Sequence, residues 1–81
     1  MTIKVYIADD HAIVRDGLQA LLEENPEITV TGTAANGRIA VQEINDLQPD
    51  VVIMDISMPE LNGITATQQI LEEFPEIRVI I

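Results

Sequence analysis

The chain has no cysteine and no tryptophan, and its only aromatic residues are Tyr6 and Phe74. Without cysteine there is neither a disulfide framework nor a thiolate metal site. With so few aromatics, the core has to be aliphatic, built mostly from Ile, Val and Leu. Positive charge is scarce too: Lys and Arg total 4 against 14 Asp and Glu, a formal net charge of −10. So acidic a segment repels phosphate backbones, which argues against direct nucleic-acid contact and for cations and basic partner surfaces. No apolar run approaches the ~20 residues of a membrane span, and the N-terminus shows no signal-peptide pattern. The expectation is a soluble cytoplasmic protein without membrane contact.

What is present is an apolar fraction of 47% in 81 residues, enough for one small folded domain. Strand-like and helix-like segments alternate. Ile3 to Ala8 is apolar and β-branched, the pattern of a strand buried on both faces. About Ala12 to Glu24 a helix follows, with Val14, Leu18, Leu21 and Leu22 on one face, Asp10 or His11 at its start and Asn25-Pro26 at its stop. Ile28 to Ala34 alternates apolar and polar residues and reads as an edge strand. Asn36-Gly37 opens a second helix in which Val41, Ile44 and Leu47 share a face, and Pro49 follows its end.

Val51 to Met54 is a short apolar run of the kind found in central parallel strands. Pro59 and Asn62-Gly63 make Ile56 to Asn62 a loop. Ile64, Thr67, Ile70, Leu71 and Phe74 mark a third helix, stopped before Pro75, and Arg78 to Ile81 begins a fourth strand. The order is β-α-β-α-β-α-β with tight connections, an α/β pattern. Because the last strand is reached only at the final residues, residues 1–81 are expected to be the N-terminal portion of a larger domain.

Three acids stand out against this pattern. Asp9 and Asp10 close the first strand, and Asp55 closes the third. Neighbouring parallel strands end on the same edge, so these carboxylates are expected to converge. Two unit charges ~5 Å apart repel by about 3 kcal/mol at an effective dielectric of 20. A hard divalent cation with oxygen ligands relieves that repulsion, and Mg²⁺ suits it. Taken singly, the same residues read as a helix cap and a turn acid. His11 reads as a cap or surface residue, and Met54 and Met58 as packing residues.

The residues also carry a resemblance. Ala8-Asp9-Asp10-His11, then Val14-Arg15-Asp16-Gly17-Leu18 and Leu21-Leu22, resembles the start of a response-regulator receiver domain. Pro49-Asp50-Val51-Val52-Ile53-Met54-Asp55-Ile56-Ser57-Met58-Pro59-Glu60-Leu61-Asn62-Gly63 is similar to that family's phosphorylation-site segment. The likeness spans the chain and is strongest to the NarL/FixJ subfamily, whose members usually carry a C-terminal helix-turn-helix DNA-binding domain. No such output segment lies in this sequence.

The resemblance implies a flavodoxin-like (CheY-like) doubly wound parallel sheet, incomplete here. It implies a phosphoacceptor module, not an enzyme, that takes a phosphoryl group from a sensor histidine kinase or a small acyl phosphate onto Asp55. Asp10 and Asp55 would bind Mg²⁺ directly, Asp9 through water, and the backbone carbonyl of Ser57 would complete the protein ligands. The Ser57 side chain would face the phosphoryl group, while Pro59 and Gly63 would shape the loop. The family's Ser or Thr after the fourth strand and Lys after the fifth have no counterpart in these residues.

Other readings compete with this one. One is a structural fragment that associates as a homo-oligomer through an exposed strand edge and does not signal. A haloacid-dehalogenase-type enzyme needs a second Asp two residues after the nucleophile, where Ser57 stands. A flavin-binding flavodoxin needs a Ser/Thr-Gly phosphate loop where Asp9-Asp10-His11 stands.

Overall fold

Runs of Ile and Val that are apolar on both sides become strands covered from two directions. The computed structural model describes residues 2–81. Along them run β1 (Ile3–Ala8), α1 (Ala12–Glu23), β2 (Ile28–Ala34), α2 (Gly37–Leu47), β3 (Val51–Met54), α3 (Gly63–Glu73) and β4 (Arg78–Ile80). All seven expected elements form, in the expected order. The strands make one sheet in the order β2-β1-β3-β4, and every pairing is parallel. From β1 the chain steps to β2 on one side and later returns to β3 on the other. The order therefore reverses between β1 and β3, and a crevice opens outside their carboxyl ends. This is the flavodoxin-like arrangement.

Right-handed crossovers in opposite directions put α1 on one face of the sheet and α2 and α3 on the other. Under α2 and α3 lies the main core: Tyr6, Ala8, Val52 and Met54 from the sheet against Ala40, Ile44, Ala66, Ile70 and Ile77. Under α1 the alternate residues Val5 and Ile7 are buried. Cover thins away from α1, which packs on β1 and β2. Val51 and Ile53 of β3 are half-buried, and Ile80 of β4 is 57% exposed.

The helices bury Ile44 and Ile70, as expected, and beside them small residues that hydrophobicity does not select. In α2 the buried set is Gly37, Ala40 and Ile44, and in α3 it is Gly63, Ala66 and Ile70, the same i, i+3, i+7 spacing twice. Leu47, Ile64 and Leu71, expected on the buried faces, are exposed. In α1, Leu18 and Leu22 are half-buried while Val14 and Leu21 are exposed, and no residue of the helix is fully buried. Small residues win because they let the helix backbone lie close to the sheet and its loops.

Tyr6 crosses the core beneath the edge strand. Its ring is fully buried, and its hydroxyl donates to Glu43 Oε1 of α2 at 2.6 Å. Gly32 makes room for it: a Cβ there would come within 2.9 Å of Tyr6 Cε2. Opposite Tyr6 the β1–β2 register slips by one residue, a bulge between Val5 and Tyr6.

Gly63 and Gly37 are demanded by close approach. A Cβ on Gly63 would collide with the backbone carbonyl of Asp55, and one on Gly37 with that of Leu61. Backbone cannot swing aside as a side chain can. Gly63→Ala is therefore expected to destabilise the fold by about 1–3 kcal/mol, as overpacking does. Gly17→Ala, in α1, where a Cβ meets nothing within 4 Å, is expected to gain about 0.5–1 kcal/mol. Urea unfolding of the two variants beside the parent chain checks both signs; a neutral Gly63→Ala would show that the loop yields.

Candidate functional site

The β1–β3 register sets Val5 opposite Val51 and Ala8 opposite Met54. Asp9 and Asp55, the next residue on each strand, therefore leave the sheet side by side. Backbone hydrogen bonds carry the ladder one step further: the Asp55 N–H donates to the Ala8 carbonyl at 2.8 Å, and the Asp9 N–H to the Ala34 carbonyl at 3.0 Å. Asp9 then turns the chain into α1. Its Oδ1 accepts from the His11 backbone N–H at 2.8 Å, an Asx turn. Arg15 Nη1 donates to the Asp9 carbonyl at 2.8 Å and ties α1 back to the same turn.

The three acids expected to meet do meet. Asp9, Asp10, His11 and Asp55 each present a donor atom within 4.8 Å of the others. His11 starts α1 with its backbone, as expected, but its side chain caps nothing. It leans into the acids instead. Its Nδ1 lies 2.8 Å from Asp9 Oδ1, 3.0 Å from Asp10 Oδ1 and 3.9 Å from Asp55 Oδ2. His11 is a surface residue, as expected, but not a side-chain cap, and the expectation did not include its contact with the acids. The signal available in the sequence was its adjacency to Asp9-Asp10, which forces any inward rotamer over the carboxylates.

Asp55 Oδ2 is buried and accepts no hydrogen bond. A buried acceptor left without a donor costs about 1–3 kcal/mol, and more when it is charged. With oxygens of Asp9 and Asp10 beside it, that orphaned atom fits a hard divalent cation such as Mg²⁺. Ser57 follows two residues on, exposed in the loop. Two features shape that loop. Met58 plugs into the core, confirming its packing role, and Glu60 holds a left-handed φ of 73° that non-glycine residues seldom adopt. The Gly63 N–H closes the loop on the Ile56 carbonyl at 2.8 Å. Arg38 Nε sits 3.3 Å from Glu60 Oε2, an exposed pair of small energetic weight.

The cavity of about 350 Å³ among Gln48, Asp50, Glu76 and Arg78 opens at the opposite edge of the sheet and contains none of the clustered acids. Among the described residues, no helix is long and apolar enough to cross a membrane.

The hydrogen bond with Asp9, then the negative charges of Asp10 and Asp9, raise the His11 pKa above its ordinary 6.5. A raised value means that the folded chain holds this proton more tightly than the unfolded one. The stabilisation is complete below about 6.5 and fades as pH rises through the folded value. Followed by NMR in metal-free buffer, the imidazole midpoint of Asp9→Asn is expected to fall back toward 6.5. A midpoint left where it was would remove Asp9 as the principal cause.

The family model for the response regulator receiver domain matches residues 5–81. The transcriptional regulatory protein YdfI of Bacillus subtilis is 47% identical over 70 residues, 86% of this chain and 33% of that protein. The response regulator domain of Thermotoga maritima CheB superposes with a TM-score of 0.93 at 40% identity, covering 98% of this chain and 58% of that one. A LuxR-family two-component response regulator from Aurantimonas gives 0.90 at 34% identity, covering 98% of this chain and 56% of that one. The chain belongs to the response-regulator receiver family. It spans about a third of the length of curated relatives such as YdfI.

Proposed function

We propose that the chain is the phosphoacceptor part of a two-component signalling protein, with Asp55 as the residue phosphorylated. The observation that carries this is Asp55 itself, alone at the end of a central strand, with one buried and unpartnered oxygen facing Asp9 and Asp10. Asp10 and Asp55, with the Ser57 carbonyl, would hold Mg²⁺ directly, and Asp9 would do so through water. The cation supplies charge neutralisation on the transferred group.

The chain's own residues do the rest. A carboxylate is a weak nucleophile, so positioning dominates. The hydrogen bond from the Asp55 N–H to the Ala8 carbonyl fixes the backbone, and the Gly63–Ile56 clamp fixes the loop behind it. An Asp55 oxygen attacks phosphorus and forms the acyl phosphate bond. The bond to the donor breaks, and its electron pair leaves with the imidazole of a kinase phosphohistidine or with the carboxylate of a small acyl phosphate. The Ser57 side chain, exposed two residues on, borders the phosphoryl group and tunes its loss. The name of YdfI, a transcriptional regulatory protein, supports a transcriptional output in the parent protein. That output would be a separate DNA-binding domain, since the −10 charge of this segment opposes DNA contact.

Acetyl phosphate, with and without Mg²⁺, tests the reading by intact mass. One phosphoryl group is expected on the parent chain only when Mg²⁺ is present, and none on Asp55→Asn. A Mg²⁺-independent gain, or the same gain in the variant, would sink it. A second reading, that the 81-residue chain associates through the β4 edge and does not signal, draws on Ile80 and Ile81, which are 57% and 64% exposed. Sedimentation equilibrium is expected to show mass rising with concentration; monomer mass throughout would eliminate association.

A further inference from the structure

The side chain that the phosphotransfer reading leaves unused is His11. It is the only histidine in a chain without cysteine, so it is the only imidazole or thiol ligand available to a metal. Its Nδ1 stands 2.8 and 3.0 Å from Asp9 and Asp10 oxygens and 3.9 Å from the orphaned Asp55 Oδ2. In an octahedral shell with bonds of ~2.1 Å, adjacent donors are roughly 3.0 Å apart and opposite donors roughly 4.2 Å. The separations from Asp10 and Asp55 fall within that range, while the 2.8 Å contact with Asp9 is a hydrogen bond that a metal ion would replace. The nitrogen of this exposed side chain thus lies within reach of a metal ion held by the three carboxylates.

Two further facts favour the same role. The imidazole is 66% exposed and makes no capping bond, so it can adjust by the fraction of an ångström that coordination asks. Its backbone is fixed all the same, since the His11 N–H is held by Asp9 Oδ1 and its carbonyl accepts from the Arg15 N–H at 2.9 Å. A side chain on a fixed backbone, bound at its tip only to carboxylates that would share the metal, is a ready fourth donor.

Imidazole changes which ions such a site prefers. Mg²⁺ takes oxygen ligands and gains little from nitrogen, whereas Co²⁺, Ni²⁺ and Zn²⁺ bind imidazole well. We propose that His11 Nδ1 is a metal ligand of this site, recruited by first-row transition ions and left aside by Mg²⁺, so that the pocket holds Co²⁺, Ni²⁺ or Zn²⁺ through one nitrogen and the carboxylates. The inference rests on the reading of Asp10 and Asp55 as cation ligands and adds a ligand and a selectivity to it.

The test uses the chain with Co²⁺ and, separately, Mg²⁺, at about pH 8, where imidazole competes well for metal. Affinities are measured by calorimetry for the parent, His11→Ala and Asp55→Asn, with circular dichroism confirming that each is folded. His11→Ala is expected to weaken Co²⁺ by about tenfold or more while Mg²⁺ binding does not weaken. Proton NMR of the Co²⁺-loaded parent is expected to show a hyperfine-shifted imidazole N–H that His11→Ala lacks. Equal loss of both ions in His11→Ala, undiminished Co²⁺ binding, or no shifted imidazole signal at saturation would overturn the role of His11. If Asp55→Asn binds Mg²⁺ as tightly as the parent, the carboxylate site itself fails, a result distinct from the others.

Discussion

The site depends on the parallel register of β1 against β3. With Ala8 opposite Met54, the two strands run out together, and the next residue on each is an aspartate. A slip of one residue would turn Asp55 to the other face of the sheet and leave Asp9 and Asp10 without their partner. Packing is what prevents the slip. Tyr6, Ala8, Val52 and Met54 must all face α2 and α3 at once, and Val5 and Ile7 must face α1. Mutual repulsion of the acids is thus opposed by the aliphatic core beneath them, and the charge cluster persists because apolar side chains a few residues away admit no other alignment.

A second constraint holds the loops to that register. The start of α3 lies against the Asp55 backbone, and the start of α2 against the Leu61 backbone. Both contacts are backbone to backbone, through a glycine. Asn36 and Asn62 cap these helix starts in the same way, each accepting from a backbone N–H three residues on, Ile39 and Thr65, at 2.9 Å. Helix ends, loop and acceptor strand therefore form one connected piece around the crevice.

The sequence made the element order and the convergence of Asp9, Asp10 and Asp55 legible, because strands of a parallel sheet end on a common edge. Of the helix faces it showed Ile44 and Ile70 but not the small residues beside them. Periodicity weighs bulk hydrophobicity and so selects Leu47, Ile64 and Leu71, while close helix–sheet contact selects Gly37, Ala40, Gly63 and Ala66, which carry almost none. The lean of His11 was hidden for another reason. A residue at a helix start has two plausible directions, and only the positions of three carboxylates from two strands decide between them.

Tyr6 has a consequence of an optical kind. In a chain without tryptophan it is the only phenol, and the ring is enclosed by the core with its hydroxyl on Glu43. Burial first, and then the hydrogen bond and charge of Glu43, push its ionisation above the ordinary tyrosine range. In alkali the unfolded chain gives up that proton and the folded chain keeps it, so rising pH draws the equilibrium toward unfolding. The near-ultraviolet band of phenolate is then a colour change reporting from one known point in the core. It would appear with the loss of the fold, without any added label.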